Sequence, residues 1–186
     1  MGKGKILMAT YFIADTHFGH KGIVKFCNRP FDDVEEMDRT LKSNWNARVT
    51  SDDTVYIVGD LYMGGYFNKG IELIKALNGK KHLIAGNHDQ KYLTDENYRK
   101  LFVSISDILN ITVDGKKVIL CHYPLAEWED KFGGAWHVYG HIHNHKNDAY
   151  AFMRNQERGL NAGVDITNFM PVLFEELVVY NQDFKL

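Results

Sequence analysis

Apolar and polar positions alternate in blocks along the first half of the chain, and the blocks predict strands and helices in turn. Segment 32–49 carries apolar residues at three- and four-residue spacing, which is typical of an amphipathic helix, and a second such helix includes Ile71 and Ile74. Asp32 and Glu35 resemble a capping box at the start of the first helix. Short apolar or β-branched runs predict buried strands on either side of these helices, at 11–15, 53–60 and 80–89. The order βαβαβ indicates a parallel sheet.

The second half of the chain has a different pattern. Segment 108–124 predicts two strands joined at the tight turn Asp114-Gly115, and 136–140 predicts a further strand. The tail then alternates short apolar runs with turns. We therefore expect a mostly antiparallel second half, and two stacked sheets with helices outside them. No repeat, low-complexity tract or linker divides the sequence, so we assign residues 1–186 to one domain.

Composition and charge exclude some classes of function. Of the 186 residues, 45% are hydrophobic and 25% are charged, which is ordinary for a globular protein. A net charge of −2 argues against a broad basic surface for duplex nucleic acid, but it leaves a nucleotide or a short strand as a partner. Cys27 and Cys121 form no disulfide framework, so we expect a cytoplasmic location. No segment is long and apolar enough to predict a membrane span.

The N-terminal stretch MGKGKILMATYFIAD has lysines before an apolar run, which superficially resembles a signal peptide. The run is short and continues into Asp15 and His17 without a good cleavage site. A first buried strand is therefore the favoured interpretation. Met8 is an alternative start of the native chain, in which case residues 1–7 would be a disordered or non-native extension.

Five apolar runs end in residue types that bind metals, and this feature points to a function. In folds with parallel strands, sites lie just beyond the carboxyl ends of the strands, so these residues are expected to share one rim. Gly59, Gly86 and Gly140 directly precede candidates and permit tight turns and close backbone approach. The candidate ligands are Asp15, His17, Asp60, Asn87, His122, His141 and His143.

The chemistry of these donors narrows the choice of ion. Carboxylate oxygen, amide oxygen and imidazole nitrogen suit Mn²⁺, Zn²⁺, Fe or Ni²⁺, and the lack of thiolates argues against a closed structural zinc site. Seven ligands are too many for one ion and suit two ions that share a bridging carboxylate. Two ions roughly 3.5–4 Å apart clamp a phosphate, and a metal-bound hydroxide can attack phosphorus in line. We therefore expect two divalent ions as cofactors, with Mn²⁺ preferred.

In chain order, these residues resemble the signature of the calcineurin-like metallophosphoesterases. The resemblance covers roughly residues 11–143 and implies an α/β (α+β) fold, a four-layer αββα sandwich of two mixed β-sheets flanked by helices. It also implies a dinuclear metal site at the C-terminal ends of the strands and phosphoester hydrolysis. The matching blocks are Asp15-Thr16-His17, Gly59-Asp60, Gly86-Asn87-His88-Asp89, His122 and Gly140-His141-Ile142-His143.

The resemblance also implies a role for each matched residue. His88 would contact the substrate phosphate and protonate or stabilise the leaving-group oxygen, which suits an imidazole with a pKa near neutrality. Asp89 has two interpretations, a catalytic residue that orients His88 or a carboxylate that satisfies loop amides. The first ion would be held by Asp15, His17 and His143, and the second by Asn87, His122 and His141, with Asp60 bridging.

Departures from the family pattern are also informative. Protein Ser/Thr phosphatases of the superfamily carry Gly-Asp-x-x-Asp-Arg-Gly around the bridging aspartate, whereas Met63 and Gly64 stand here where the second Asp and the Arg would be. A protein phosphatase is therefore disfavoured. Segment 18–31 lengthens the gap after His17, and it adds Arg29 and Asn28 as candidates for binding substrate phosphate. The alternative for Arg29 is that it fixes the loop before Pro30.

Other polar residues near the motif are expected to have supporting roles. We expect His20 to support a ligand or the loop, and His145 to be a rim or solvent residue. Cys121 is expected to be a small core residue that points away from His122. Asn161 and Asp165 are candidates for closing the site from the C-terminal half.

The expected function is a phosphohydrolase whose substrate is a small phosphoester, and a phosphodiesterase for nucleotide-sized diesters is preferred. This preference follows from the resemblance, since compact single-domain members commonly hydrolyse phosphodiesters. A phosphomonoesterase, a single-strand nuclease and a dinucleoside-polyphosphate hydrolase remain alternatives with the same site. A non-catalytic metal-binding scaffold is the alternative from another class, although such relatives usually lack ligands or the histidine at the position of His88. No pattern indicates an oligomeric state.

Overall fold

The computed structural model describes residues 8–186, and in this part of the chain the strands form two β-sheets. The expectation that residues 1–7 are an extension lies outside the described residues. The first sheet has the order β4-β3-β2-β1-β9, and the second has the order β5-β6-β7-β8. The strands are β1 Thr10–Ile13, β2 Thr54–Ile57, β3 Lys80–Ile84, β4 Ser104–Ser106, β5 Ile108–Val113, β6 Lys116–Cys121, β7 Trp136–Tyr139, β8 Gly159–Asn161 and β9 Val172–Leu173.

Helices lie between and after these strands. The predicted amphipathic helix and the helix around Ile71 and Ile74 are both present, and shorter helices accompany them. None of the helices within residues 8–186 is long and apolar enough to cross a membrane. The helices are α1 Lys21–Phe26, α2 Val34–Arg48, α3 Phe67–Lys75, α4 Glu96–Arg99, α5 Asp148–Met153 and α6 Phe174–Lys185.

The predicted capping box at the start of α2 is displaced by one residue. The N-cap is Asp33, whose side chain accepts a hydrogen bond of 2.7 Å from the main-chain N–H of Glu36. The Glu36 carboxylate in turn accepts a bond of 2.7 Å from the main-chain N–H of Asp32. The acidic cluster thus caps the helix as expected, but the prediction that Asp32 and Glu35 form the box was wrong.

Strand direction differs between expectation and structure in the second sheet. In the first sheet β1 to β4 are parallel, as predicted, and only the short β9 is antiparallel. In the second sheet β5 and β6 form the predicted antiparallel hairpin, but β6, β7 and β8 are parallel. The prediction of a mostly antiparallel second half was therefore wrong. The loop 122–135 and the segment 140–158, which contains α5, are long enough for the crossovers that parallel strands need.

Alternating residues of the strands separate the layers of the fold. In β1, Tyr11 and Ile13 pack with α2, whereas Phe12 points into the core between the two sheets. On the far side of the second sheet, Ile119 is covered by Trp128 from the loop 122–135, and α5 packs beside it over β7. These layers give two mixed β-sheets flanked by helices, which confirms the predicted fold class. The assignment to one domain stays a prediction.

The two sheets are joined by main-chain hydrogen bonds just after β1. The N–H of Ala14 donates to the carbonyl of Ala162 at 2.8 Å, and the N–H of Val164 donates to the carbonyl of Ala14 at 3.0 Å. The chain after β8 therefore lies against the end of β1. Because β1 to β3 and β6 to β8 are parallel within their own sheets, their carboxyl ends can meet along one rim.

Trp45 tests the helical layer of this fold. Its side chain is fully buried in the core beneath α2, and its indole N–H donates to the carbonyl of Asn78 at 2.9 Å. Trp45→Ala should lower the free energy of unfolding by about 3–5 kcal/mol, measured by denaturant titration. Phe132→Ala is the control, since Phe132 is 89% exposed, and should change stability by less than about 0.5 kcal/mol. Equal effects of the two substitutions would contradict the described packing.

Candidate metal centre

The strand ends bring the predicted ligands together. Asp60 lies just beyond β2, and His122 directly follows β6. The loop after β1 is tied to the loop after β2, since the N–H of Asp15 donates to the carbonyl of Gly59 and the N–H of His17 to that of Asp60, both at 3.0 Å. The main-chain N–H of His141, just beyond β7, donates to the carboxylate of Asp15 at 3.0–3.1 Å. The rim that the sequence predicted is therefore one contiguous cluster.

Most of these residues have an unusual backbone conformation. Positive φ angles of 50–70° are uncommon for residues other than glycine and cost about 1–3 kcal/mol each. Here they coincide with candidate ligands, which indicates that the surrounding structure maintains strained turns at a functional site. The residues are Asp15 (φ 55°), His17 (51°), Asp60 (54°), His141 (70°) and His143 (52°).

Two glycines of the motif are needed for close approach of the loops. A Cβ atom on Gly86 would lie 2.7 Å from the main-chain nitrogen of Asp60, and one on Gly140 would lie 2.6 Å from Oδ2 of Asp15. Real Cβ atoms essentially never approach other atoms so closely. The expected close backbone approach at these glycines is therefore confirmed, and it places two carboxylates against neighbouring main chain.

The first group of ligand atoms belongs to Asp15, His17 and His143, and these atoms all lie within 4.8 Å of one another. All three residues are buried. Nδ1 of His17 is 3.2 Å from Nδ1 of His20, whereas Nε2 of His17 is buried and has no hydrogen-bond partner among the described residues. An unpartnered polar atom in this position is costly unless it binds something. Its environment therefore fits a nitrogen that coordinates a cation.

The second group consists of Asp60, Asn87, His122 and His141. Oδ1 of Asn87 is 3.2 Å from Nε2 of His122 and 3.1 Å from Nδ1 of His141. Nδ1 of His122 donates to the carbonyl of Val58 at 2.9 Å, which leaves Nε2 as the nitrogen available to an ion. Oδ2 of Asp60 is 3.5 Å from Nε2 of both His122 and His17. This oxygen therefore lies between the two groups.

The buried carboxylates create a field that favours positive charge. Burial alone would lower the pKa of His143, but the carboxylates of Asp15 and Asp165 raise it to about 10. Likewise burial lowers the pKa of His122, whereas its contact with Asp60 and the charge of Asp15 raise it to about 9. Burial would raise the pKa of Asp60, but the imidazoles of His122 and His17 hold it below its usual range. Such a pocket suits a divalent cation.

His88 lies at the mouth of the cluster. Its side chain is 36% exposed, and its Nε2 is 3.9 Å from Oδ2 of Asp60. Its main-chain N–H donates to Oδ1 of Asp60 at 2.9 Å. Among the described residues, no ion pair joins His88 to any carboxylate other than Asp60. The ring can therefore contact solvent and the cluster together, and it lacks the aspartate partner found in the protein phosphatase pattern.

Asp89 does not have the position of a catalytic residue. Its carboxylate is fully buried and accepts hydrogen bonds from the main-chain N–H groups of Asp60 at 2.7 Å, Leu61 at 3.1 Å and Gly86 at 2.8 Å. It therefore satisfies loop amides, and the expectation that it orients the ring of His88 was wrong. The physical reason is that three buried N–H groups leave the carboxylate no free direction. Its role is to hold the loop that carries Asp60.

The two candidates for phosphate binding also have other positions. The Arg29 side chain is fully buried and makes hydrogen bonds to Asp165 and to the carbonyls of Asp15 and Thr16. It therefore fixes the loop, which was the alternative interpretation, and it has no free donor for substrate. Asn28 is exposed just beyond α1 with a φ of 51°. A left-handed residue after a helix end is a frequent place for asparagine, which explains Asn28 without substrate.

Residues outside the family signature complete the surroundings. Asp165 accepts a hydrogen bond from Nδ1 of His143 at 3.0 Å, and Asn161 donates to the main-chain carbonyl of His143 at 2.8 Å. The C-terminal half therefore closes the site through His143, as the sequence suggested. Nε2 of His145 is 3.8 Å from Sγ of Cys27, and both lie outside the two groups around Asp60.

Two exposed aromatic rings beside the cluster were missed from the sequence. Tyr123 is 45% exposed and its ring centroid lies 4.7 Å from that of His141. Phe26 is 63% exposed and its centroid lies 6.2 Å from that of His143. The signal for Tyr123 was its position directly after a ligand histidine. Phe26 had no comparable signal, because only the fold brings α1 next to the second sheet.

Comparisons with known proteins agree with this geometry. Residues 8–145 match the family model described as calcineurin-like phosphoesterase. The chain is 38% identical over 169 residues to an uncharacterized protein of Methanocaldococcus jannaschii, covering 90% of this chain and 88% of that protein. It is 32% identical over 163 residues to the gene 66 protein of Mycobacterium phage L5, covering 73% of this chain and 77% of that protein. A protein of unknown function from Aquifex aeolicus has a similar structure, with a TM-score of 0.71, 26% identity and coverage of 90% and 96%.

The histidines of the segment 138–145 give a direct test of the cluster. His143→Ala should lower the amount of Mn²⁺ bound after chelation and reloading, because it removes a nitrogen from the first group. His145→Ala should leave the bound metal at the parental level, because its ring contacts Phe26 and Cys27 rather than the ligand groups. Metal content is measured by mass spectrometry on the purified variants. Loss of metal in His145→Ala would contradict the assignment of the third histidine.

Proposed function

The chain belongs to the calcineurin-like phosphoesterase family, and from this premise we propose that it is a dinuclear metal-dependent phosphodiesterase for nucleotide-sized substrates. Members of the family are metal-dependent hydrolases that act on phosphoesters. The observation that carries the proposal is Oδ2 of Asp60, which is equally distant from Nε2 of His17 and of His122 at 3.5 Å. A shared carboxylate between two groups of donors is the arrangement that two ions require.

We propose Asp60 as the bridging ligand of the two ions. The unpartnered Nε2 of His17 and the raised pKa values of His122 and His143 support a pair of cations here. Oxygen and imidazole donors without a thiolate favour Mn²⁺, with Fe, Ni²⁺ and Zn²⁺ as alternatives. In this proposal the first ion is held by Asp15, His17 and His143, and the second by Asn87, His122 and His141.

When bound, such ions supply Lewis-acid activation of the phosphoester and of the attacking water. The protein supplies the orientation of the ligands and one group that can move a proton. Its main-chain bond to Asp60 holds His88 next to the cluster, and its side chain is open to solvent. We propose that the imidazole of His88 contacts the substrate phosphate and protonates the leaving oxygen.

The openness of the rim supports a small diester substrate. Asn87 and His141 are exposed, so a phosphate can approach the second group from solvent. The rings of Tyr123 and Phe26 lie on opposite groups of the cluster, beside His141 and His143 respectively. A nucleobase that stacks on an exposed aromatic ring gains about 1–3 kcal/mol. With a net charge of −2, stacking is a better source of affinity for a nucleotide than a basic groove.

A screen of substrates against metals tests the proposal. The chelated protein reloaded with Mn²⁺ should hydrolyse a bis-aryl phosphate and a dinucleotide faster than a mono-aryl phosphate. The same panel includes 2′,3′-cyclic and 3′,5′-cyclic mononucleotides, single-stranded oligonucleotides and dinucleoside polyphosphates. Preference for the monoester would overturn the diesterase proposal in favour of a phosphomonoesterase, and absence of any hydrolysis would favour a metal-binding scaffold.

The role of His88 has a test of its own. Because the imidazole is proposed as the proton donor and not as a ligand, His88→Ala should retain the parental metal content and lower kcat by about 10²–10⁴-fold. The loss should be smaller for a substrate whose leaving group is a good anion without protonation, such as p-nitrophenolate. Parental turnover of a dinucleotide by His88→Ala would show that this assignment is wrong.

A further inference from the structure

Segment 18–31 delivers a buried arginine to the back of the first ligand group. The Arg29 side chain is fully buried, and each of its five N–H directions meets an acceptor. Nε and one Nη2 hydrogen bond the carboxylate of Asp165 at 2.8 and 3.0 Å. The remaining bonds reach the carbonyl of Asp15 at 2.7 Å, the carbonyl of Thr16 at 2.8 Å and Sδ of Met37 at 3.3 Å. This guanidinium therefore has a structural role only.

Asp165 links this arginine to a ligand. Its carboxylate is 1% exposed, and Oδ2 accepts hydrogen bonds from both Arg29 and Nδ1 of His143, each at 3.0 Å. With Nδ1 donating, Nε2 is the nitrogen of His143 that remains free for an ion. A carboxylate on the far nitrogen of a ligating histidine fixes the ring orientation and raises its basicity. The bidentate arginine in turn fixes the carboxylate.

The second ligand group is oriented in a different way. Nδ1 of His122 donates to the main-chain carbonyl of Val58, so no charged side chain is needed to set its ring. Asp60 is held through the loop that Asp89 satisfies. Neither contact involves segment 18–31. The two groups therefore depend on separate supports.

We propose that Arg29 and Asp165 are positioning residues for the first metal ion, and that the pair sets the affinity of this ion without setting that of the second. The guanidinium holds the main chain at Asp15 and the carboxylate orients His143, so two of the three ligands in this group depend on one ion pair. The inference rests on the proposed two-ion site. It gives segment 18–31 a function, which is to supply the arginine.

The test must separate positioning from loss of stability. Removing one member alone would leave a buried charge unpaired and could unfold the protein. The double variant Arg29→Met/Asp165→Leu removes both charges and keeps apolar volume, a replacement that is often neutral for stability. The matched control is Arg48→Met/Glu176→Leu, another arginine–carboxylate pair, with both Glu176 oxygens on Nη2 of Arg48 at 2.6 Å. Its two residues contact none of the proposed ligands.

Each protein is titrated with Mn²⁺ and, separately, with Co²⁺, whose visible absorption reports the ligand geometry, and thermal unfolding is recorded for the metal-free forms. The parent and the control should bind two ions per chain. Arg29→Met/Asp165→Leu should bind one ion with parental affinity and the other about 10–100-fold more weakly, with a changed Co²⁺ spectrum for that ion alone.

The outcomes separate the inference from the proposed function. Parental affinity for both ions in Arg29→Met/Asp165→Leu would overturn the positioning role while the two-ion site stands. Equal weakening of both ions in that variant would overturn the selectivity for the first ion. A parent chain that binds a single ion would overturn the two-ion proposal itself.

Discussion

The burial of four carboxylates on one rim is the constraint on which the rest of the structure depends. Asp15, Asp60, Asp89 and Asp165 all have side chains that are almost completely removed from solvent. A buried charge is very costly unless it is paired or hydrogen-bonded. Asp89 is satisfied by three main-chain N–H groups, and Asp165 by Arg29 and His143. Asp15 and Asp60 instead face histidine nitrogens, and a cation is the partner that this arrangement suits.

The geometry of the loops follows from this constraint. Left-handed turns at ligand positions aim both side chains and main-chain N–H groups inward, as when the N–H of His141 donates to the Asp15 carboxylate. Gly86 and Gly140 are needed because their neighbours lie where a Cβ would be. The parallel direction of β6 and β7 is part of the same requirement. Antiparallel strands would place His122 and His141 at opposite ends of the sheet.

Burial divides the rim into two halves with different tasks. Asp15, His17 and His143 are buried and are supported by Arg29 and Asp165, so this half is rigid and closed to solvent. Asn87 and His141 are exposed, and His88 is half-exposed beside them. Substrate therefore has access to the second half, and the exposed rings of Tyr123 and Phe26 flank the approach. A small phosphodiester with an aromatic group is suited to this shape.

The sequence by itself determined the strands of the first sheet, the helices around 32–49 and 71, and the residues of the rim, because periodicity and the strand-end rule are local signals. It left open whether Asp89 and Arg29 touch substrate, because the partners of a buried polar side chain come from distant segments. Arg29 meets Asp165, 136 positions later, and Asp89 meets Asp60, 29 positions earlier. The direction of β6 to β8 was likewise decided by long crossovers. Only the tertiary structure brings these segments together, and burial then assigns each charge its partner.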